Sequence, residues 1–224
     1  MSRRKKSSLL CIPDTNSLIH MRDIDVANKK LWLWLWEEFD VQLSEAICNE
    51  LHDHPDLNDT GMENKCKKSV WSFRGQESKL KKLEEAFVQH FDIKLNGNEN
   101  QGECHNCCVA LDAILSGRYR QVIFLTNELK TTDPKRDGSL FRVFNNFRIG
   151  EIWSSLDFVL YLFARHRNRF HSQIAEAALK DINGRIGGKT KNDVPAKRLR
   201  CYNSKLKKIN ETLSQLPPYA NIRS

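Results

Sequence analysis

The chain alternates short continuous apolar runs with longer stretches whose apolar residues recur at helical spacing. Leu9-Leu10-Cys11-Ile12 is a run of strand length, and Pro13 closes its ladder because it has no N–H to donate. Thr15, Asn16 and Ser17 carry cap and turn chemistry, which predicts a short helix over Ser17–Met21. Leu31–Trp36 is apolar all round, so its period does not separate strand from helix. Lys29 and Lys30 before it and Glu37–Phe39 after it extend it to helical length, and a buried helix is expected. Its tryptophans read as core, or as a homodimer face, ahead of a base-stacking platform. Val41–Leu43 reads as a short strand, Ser44 as an N-cap, and Glu45–His54 as a helix with Ile47 and Leu51 on its buried stripe and Glu50 beside it.

Pro55 to Gly61 is polar and reads as a loop. Helical spacing follows over Glu63–Phe73 and Gln76–Gln89, the second apolar at Leu80, Leu83 and Phe87. Phe91–Leu95 alternates like a strand, and Asn96–Gln101 reads as a loop. Gly102-Glu103 opens a helix that runs to Leu115 and is stopped by Gly117. Val122–Leu125 fits a buried parallel strand and ends in Thr126-Asn127-Glu128. Thr131–Gly138 is then a loop, Leu140–Phe147 a helix, Arg148–Ile152 a fifth strand and Leu156–Arg165 an apolar helix. A further helix to about Ile182 ends at Gly184, Gly187 and Gly188. Strands alternating with helices predict an α/β fold, its mostly parallel sheet covered on both faces.

Composition adds a division of charge. The 224 residues carry a net +8, but residues 165–224 hold 14 Lys/Arg against 4 Asp/Glu while the rest of the chain is near neutral. A neutral body with a basic end predicts a polyanion-binding extension, nucleic acid ahead of membrane. The domains expected are a basic, disordered start (1–8), an α/β body (9–164) and a basic helical C-terminal extension (165–224). Seven irregularly spaced cysteines do not form a disulfide framework, no run reaches the length of a secretory signal or a membrane span, and a reducing cytoplasmic setting is expected.

Candidate chemistry gathers at strand ends. Asp14 lies just past the first strand, Glu50 on the helix after the second, Glu103 at the start of a later helix and Thr126-Asn127-Glu128 past the fourth strand. Strand ends and the following helix N-termini converge on one edge of a parallel sheet. Carboxylates gathered there repel unless a cation neutralises them, and Mg²⁺ or Mn²⁺ is suited to hard oxygen ligands. The simpler role for Asp14 is to cap the helix that follows it.

Over roughly Leu9–Leu162 this arrangement resembles the PIN domain, a family of metal-dependent nucleases that are mostly ribonucleases. The resemblance rests on Asp14-Thr15-Asn16 after an apolar strand, Glu50 in Ala46–Leu51, Gly102-Glu103 opening a helix, Leu125–Glu128, and the late strand Ile149–Ile152. It implies a three-layer αβα fold with a mostly parallel sheet of about five strands. It also implies an endoribonuclease in which Asp14, Glu50, Glu103 and Glu128 bind Mg²⁺ or Mn²⁺, supported by Asn16, Thr126 and Asn127. The family usually places Asp directly after the Thr, whereas here Asn127 comes first and Glu128 second. Members with depleted acids serve as binding modules, so a degenerate PIN-fold module binding RNA or a protein is the alternative.

Phosphate contacts are expected from Arg165, Arg167, Arg169, Lys197, Arg198 and Arg200. The partner expected is RNA, with a homodimer or an inhibitory or regulatory protein left open and no membrane. Cys104-His105-Asn106-Cys107-Cys108 has zinc-ligand types but lacks a second pair, and Cys104, Cys107 and Cys108 share one helix face, the pattern of a packed stripe. Asp112 lies half a turn around its helix from Glu103 and reads as a surface or supporting carboxylate. Asp133 is a substitute for the fourth ligand, and His52 and His54 read as surface residues.

Overall fold

The computed structural model describes residues 9–54, 60–73, 77–91, 101–128, 139–187 and 194–215. Along the chain run β1 (Leu9–Pro13), α1 (Thr15–Arg22), β2 (Asp25–Val26), β3 (Lys29–Lys30), α2 (Leu31–Glu38), β4 (Asp40–Val41) and α3 (Glu45–Asp53). Then come α4 (Thr60–Lys68), α5 (Glu77–Phe91), α6 (Gln101–Leu115), β5 (Gln121–Leu125), α7 (Ser139–Phe147) and β6 (Gly150–Trp153). The last helices are α8 (Ser155–Arg165), α9 (Ser172–Ile186) and α10 (Pro195–Gln215). They fall into two compact units, one of residues up to Ile19 with Trp32–Ser154, the other of His20–Leu31 with Ser155 onward. The boundary expected at 164/165 lies inside α8. No described helix is long and apolar enough to cross a membrane.

The first unit is an α/β body built on a four-stranded sheet in the order β4-β1-β5-β6, each neighbouring pair parallel. β1 and β5 are central and nearly wholly buried, which their continuous apolar runs require. Pro13 is the last residue of β1, as expected; it still pairs with Leu125, and one further bond follows it, from Asp14 N–H to Leu125 O at 2.9 Å. One core cluster joins Leu10, Ile12, Val122 and Phe124 of the sheet to Cys104, Cys107, Cys108 and Val109 of α6. The three thiols of α6 are thus packed among apolar side chains. Trp32 and Trp34 are buried as well, as the core reading of the tryptophan run expects.

Several elements depart from their sequence reading. Leu43 lies beyond β4 and makes an isolated parallel bridge to Val70, so α4 stops at Lys68 and does not reach Phe73. α5 continues through Phe91, which the alternating pattern had put in a strand. Residues 92–95, on which the five-strand expectation depended, lie outside the described residues, as do Asp133 and residues 55–59, 96–100 and 131–138, where loops were expected. β6 starts at Gly150, because Arg148 takes a left-handed turn at φ +49°.

In the second unit, Lys29 and Lys30 form a strand, not the start of a helix. β2 and β3 pair as an antiparallel hairpin turned by Ala27 (φ +50°) and Asn28 (φ +63°). The chain breaks after Arg165, where Arg169 N–H and Phe170 N–H both return to His166 O, and α9 begins only at Ser172. Gly184 lies within α9, and Gly187 (φ +64°) ends it. The guanidinium of Arg198 caps that end by donating to Asn183 Oδ1 (2.7 Å), Asn183 O (3.2 Å) and Gly187 O (2.9 Å). The basic stretch 197–208 is one long helix, α10, whose Leu206 is buried.

Candidate active site

Asp14 stands at the end of β1, where the chain turns into α1, and its residue is 6% exposed. Oδ1 accepts from Ser17 N–H at 2.6 Å, so Asp14 does cap α1. Oδ2 accepts from the Thr126 hydroxyl at 2.5 Å, across the sheet at the end of β5. The same hydroxyl accepts from Glu128 N–H at 3.1 Å. Burial pushes the Asp14 carboxyl up from its ordinary value; the bonds from Ser17 and Thr126 pull it back, and the negative charge of Glu128 pushes it further up. Among the described residues, the donors to Asp14 are thus neutral and the nearby charge that acts on it is negative.

Glu50 reaches the same edge from α3. The helix is set by Ser44, whose hydroxyl accepts from Ile47 N–H at 3.3 Å, and by Ile47 and Leu51, which are buried. That leaves Glu50 on the solvent side, where Oε2 accepts from the Thr15 hydroxyl at 2.5 Å. Thr15 is the residue directly after Asp14, so the first and second acids share an edge. Gly102 lets them lie against α6: a Cβ there would stand 2.7 Å from Glu50 Oε1 and 2.8 Å from Ile47 Cδ1. Glu103, the next residue, is half-buried in the first turn of α6.

Asn106, one turn further along α6, is fully buried. It accepts from Ser44 N–H and donates to Pro13 O, each at 3.4 Å, and so pins together the end of β1, the start of α3 and α6. Sequence reasoning passed over it as part of a cysteine cluster. An amide set among Cys, Val and Ala on one helix face was the available signal.

Among the supporting residues, Thr126 is buried and bonded to Asp14, and Asn127 is 4% exposed. Asn16 is not among Asp14's hydrogen-bond partners in the described residues; Thr15 and Ser17 are the α1 residues that tie this edge together. Glu128 is half-buried and acts on Asp14 through its charge. Among the described residues no three His, Cys, Asp or Glu groups surround a common point closely enough to hold an ion as they stand.

Asp112 is not a surface group. It is 2% exposed and accepts from Trp71 Nε1 (3.0 Å) and from Arg118 (3.2 Å), with Lys79 on its other oxygen. Arg118 also lies over the Trp71 ring at 3.7 Å.

A cleft of about 370 Å³ opens beside Glu50, between α3, α5, α6 and the Trp71–Phe73 segment. A larger one, about 690 Å³, lies in the second unit between the hairpin tip and α9; it holds Arg169 and none of the candidate metal ligands. Of the other expected phosphate contacts, Arg165, Arg167, Lys197 and Arg200 are exposed, whereas Arg198 is engaged on the end of α9. No family model, no curated protein and no solved structure matches this chain.

Proposed function

We propose that the first unit is a three-layer, PIN-like endoribonuclease domain that hydrolyses RNA phosphodiester bonds with a carboxylate-bound Mg²⁺ or Mn²⁺. The observation that carries the reading is the meeting of four distant segments at one sheet edge: Asp14 bonded to Thr126, and Glu50 bonded to Thr15 over Gly102. Asp14, Glu50 and Glu103 are the residues that would hold the ion, with Glu128 or Asn127 completing the set.

The donors match the ion in kind, being hard oxygens, and a positive charge beside Asp14 would offset the burial that disfavours its ionised form. Closing on one ion would require the longer side chains of Glu50 and Glu103 to turn toward Asp14; Gly102 leaves the space in which Glu50 Oε1 now lies. When bound, such an ion activates a water and stabilises the charge that builds on the phosphate. The chain's own residues do the positioning. Thr126 and the Ser17 N–H hold Asp14 in a single orientation, and Thr15 keeps Glu50 on the same edge. Asn106 fixes the strand end and the two helix starts against each other. The exposed basic residues Arg165, Arg167, Lys197 and Arg200 would grip phosphates without choosing sequence.

The test is cleavage of single-stranded RNA in Mn²⁺ by the wild type and by Asp14→Asn. Cleavage by the wild type alone is expected. Cleavage that survives the substitution, or RNA binding without cleavage by either protein, would favour the second reading, a binding module on the same fold. The rotated order Thr126-Asn127-Glu128 is the feature that favours that second reading.

A further inference from the structure

Among the described residues, Thr15, Ser17, Ser44 and Thr126 bring hydroxyls to the Asp14 edge, and three of these are used within the fold. Thr126 donates to Asp14 Oδ2, Thr15 donates to Glu50 Oε2, and Ser44 accepts from Ile47 N–H. Ser17 differs. Its residue is fully buried, and its Oγ meets no hydrogen-bond partner among the described residues. The side chain nonetheless adjoins Asp14. It pulls the carboxyl toward its ionised form, and the Ser17 backbone N–H donates to Asp14 Oδ1 at 2.6 Å. The hydroxyl thus lies beside the carboxylate without the alignment of a hydrogen bond.

A buried hydroxyl with no partner costs the fold the hydration it gave up, and an alanine would fill the position without that cost. Trp32 Nε1 is likewise buried without a partner among the described residues, but an indole N–H only donates and has nothing to offer a cation. A hydroxyl both donates and accepts. The charges around Ser17 decide what it can accept from. Asp14 beside it and Glu128, which acts on Asp14, are both acidic, and this turns an anion away and favours a cation with its water. Mg²⁺ usually keeps several waters, and the ion's charge makes those waters strong hydrogen-bond donors that need acceptors.

We propose that Ser17 is a positioning residue of the ion site, its Oγ accepting a hydrogen bond from a water that the ion at Asp14 retains. The assignment rests on the nuclease reading for the ion itself. It adds a neutral acceptor to the carboxylates, and it gives the buried hydroxyl a bond that the fold alone does not supply.

The test titrates the full-length wild type, Ser17→Ala and Asp14→Asn with Mn²⁺, following the electron paramagnetic resonance signal of the free ion, and records each protein's urea midpoint in EDTA. Ser17→Ala should bind Mn²⁺ roughly tenfold more weakly than the wild type, the loss expected when an outer partner of a bound ion is removed. Its midpoint in EDTA should equal or exceed that of the wild type, because no bond within the fold is lost. Unchanged Mn²⁺ affinity in Ser17→Ala, with binding abolished in Asp14→Asn, would overturn the Ser17 assignment alone and leave the ion site standing. A lower midpoint for Ser17→Ala in EDTA would also overturn it, by showing that the hydroxyl serves the fold without the ion. Equal binding by the wild type and Asp14→Asn, or no saturable binding by the wild type, would remove the ion from this edge and both readings with it.

Discussion

Two buried aspartates in the α/β body have opposite surroundings. Asp112, in the middle of α6, is met by Lys79, Arg118 and the Trp71 indole N–H, so its charge is answered within the fold. Asp14, at the end of β1, is met by a backbone N–H and a hydroxyl, with the charge of Glu128 acting against it. A buried carboxylate paired with cations holds structure together. Asp14, held among the described residues by neutral donors, is oriented without a positive partner there, and the proposed function gives that partner's place to a divalent ion. The basic residues repeat the contrast: Arg198 is engaged on the carbonyls that end α9, while Lys197 and Arg200 on the same helix face solvent.

The largest effect should come from removing the Asp14 carboxylate. Asp14→Asn should lower the rate of RNA cleavage by roughly 1,000-fold, the several kcal/mol that a well-placed metal contributes. Next is Asp112→Ala, which should cost about 3 kcal/mol of stability in urea denaturation by leaving the Trp71 N–H and two cations without their acceptor. The heads of Lys79 and Arg118 reach solvent, which holds the cost to the lower end of that range. Equal destabilisation by Asp14→Asn and Asp112→Ala would erase the distinction between the two sites.

Among the basic residues, Arg198→Ala should cost about 1–2 kcal/mol through lost capping bonds. Lys197→Ala and Arg200→Ala should leave stability within about 0.5 kcal/mol and instead reduce the salt slope of RNA binding by about one each. The smallest effect concerns Asp14 in the fold. Its folded-state carboxyl lies above its unfolded value, so the fold resists ionising it. No penalty exists below the unfolded carboxyl's range, near pH 4; it sets in as pH rises through that range and is constant above the raised folded value. Without divalent ions, Asp14→Asn should therefore stabilise the protein by about 1 kcal/mol at neutral pH and by nothing at pH 3.

Much of this edge was legible in the sequence because its elements are continuous apolar runs flanked by unambiguous caps. β1 with Asp14, Ser44 opening α3, and Val122–Leu125 ending in Thr126 all follow from local pattern. The bonds that join them were not, since no local rule brings Thr15 to Glu50 or Asn106 to Pro13. The hairpin was missed because Ala27-Asn28 lacks the glycine that usually marks such a turn, and Lys29-Lys30 ran into an apolar stretch. Asp112 was misplaced because angle around a helix says nothing of what packs on that face; its cations arrive from Lys79 and Arg118, in other parts of the chain.

Whether the Asp14 edge takes a divalent ion is tested most directly by denaturant midpoints measured with and without Mn²⁺, for the wild type and Asp14→Asn. Saturating Mn²⁺ at about 100 times its dissociation constant should stabilise the wild type by about 2.7 kcal/mol and leave Asp14→Asn unmoved. An equal shift in both proteins, or none in the wild type, would contradict the account.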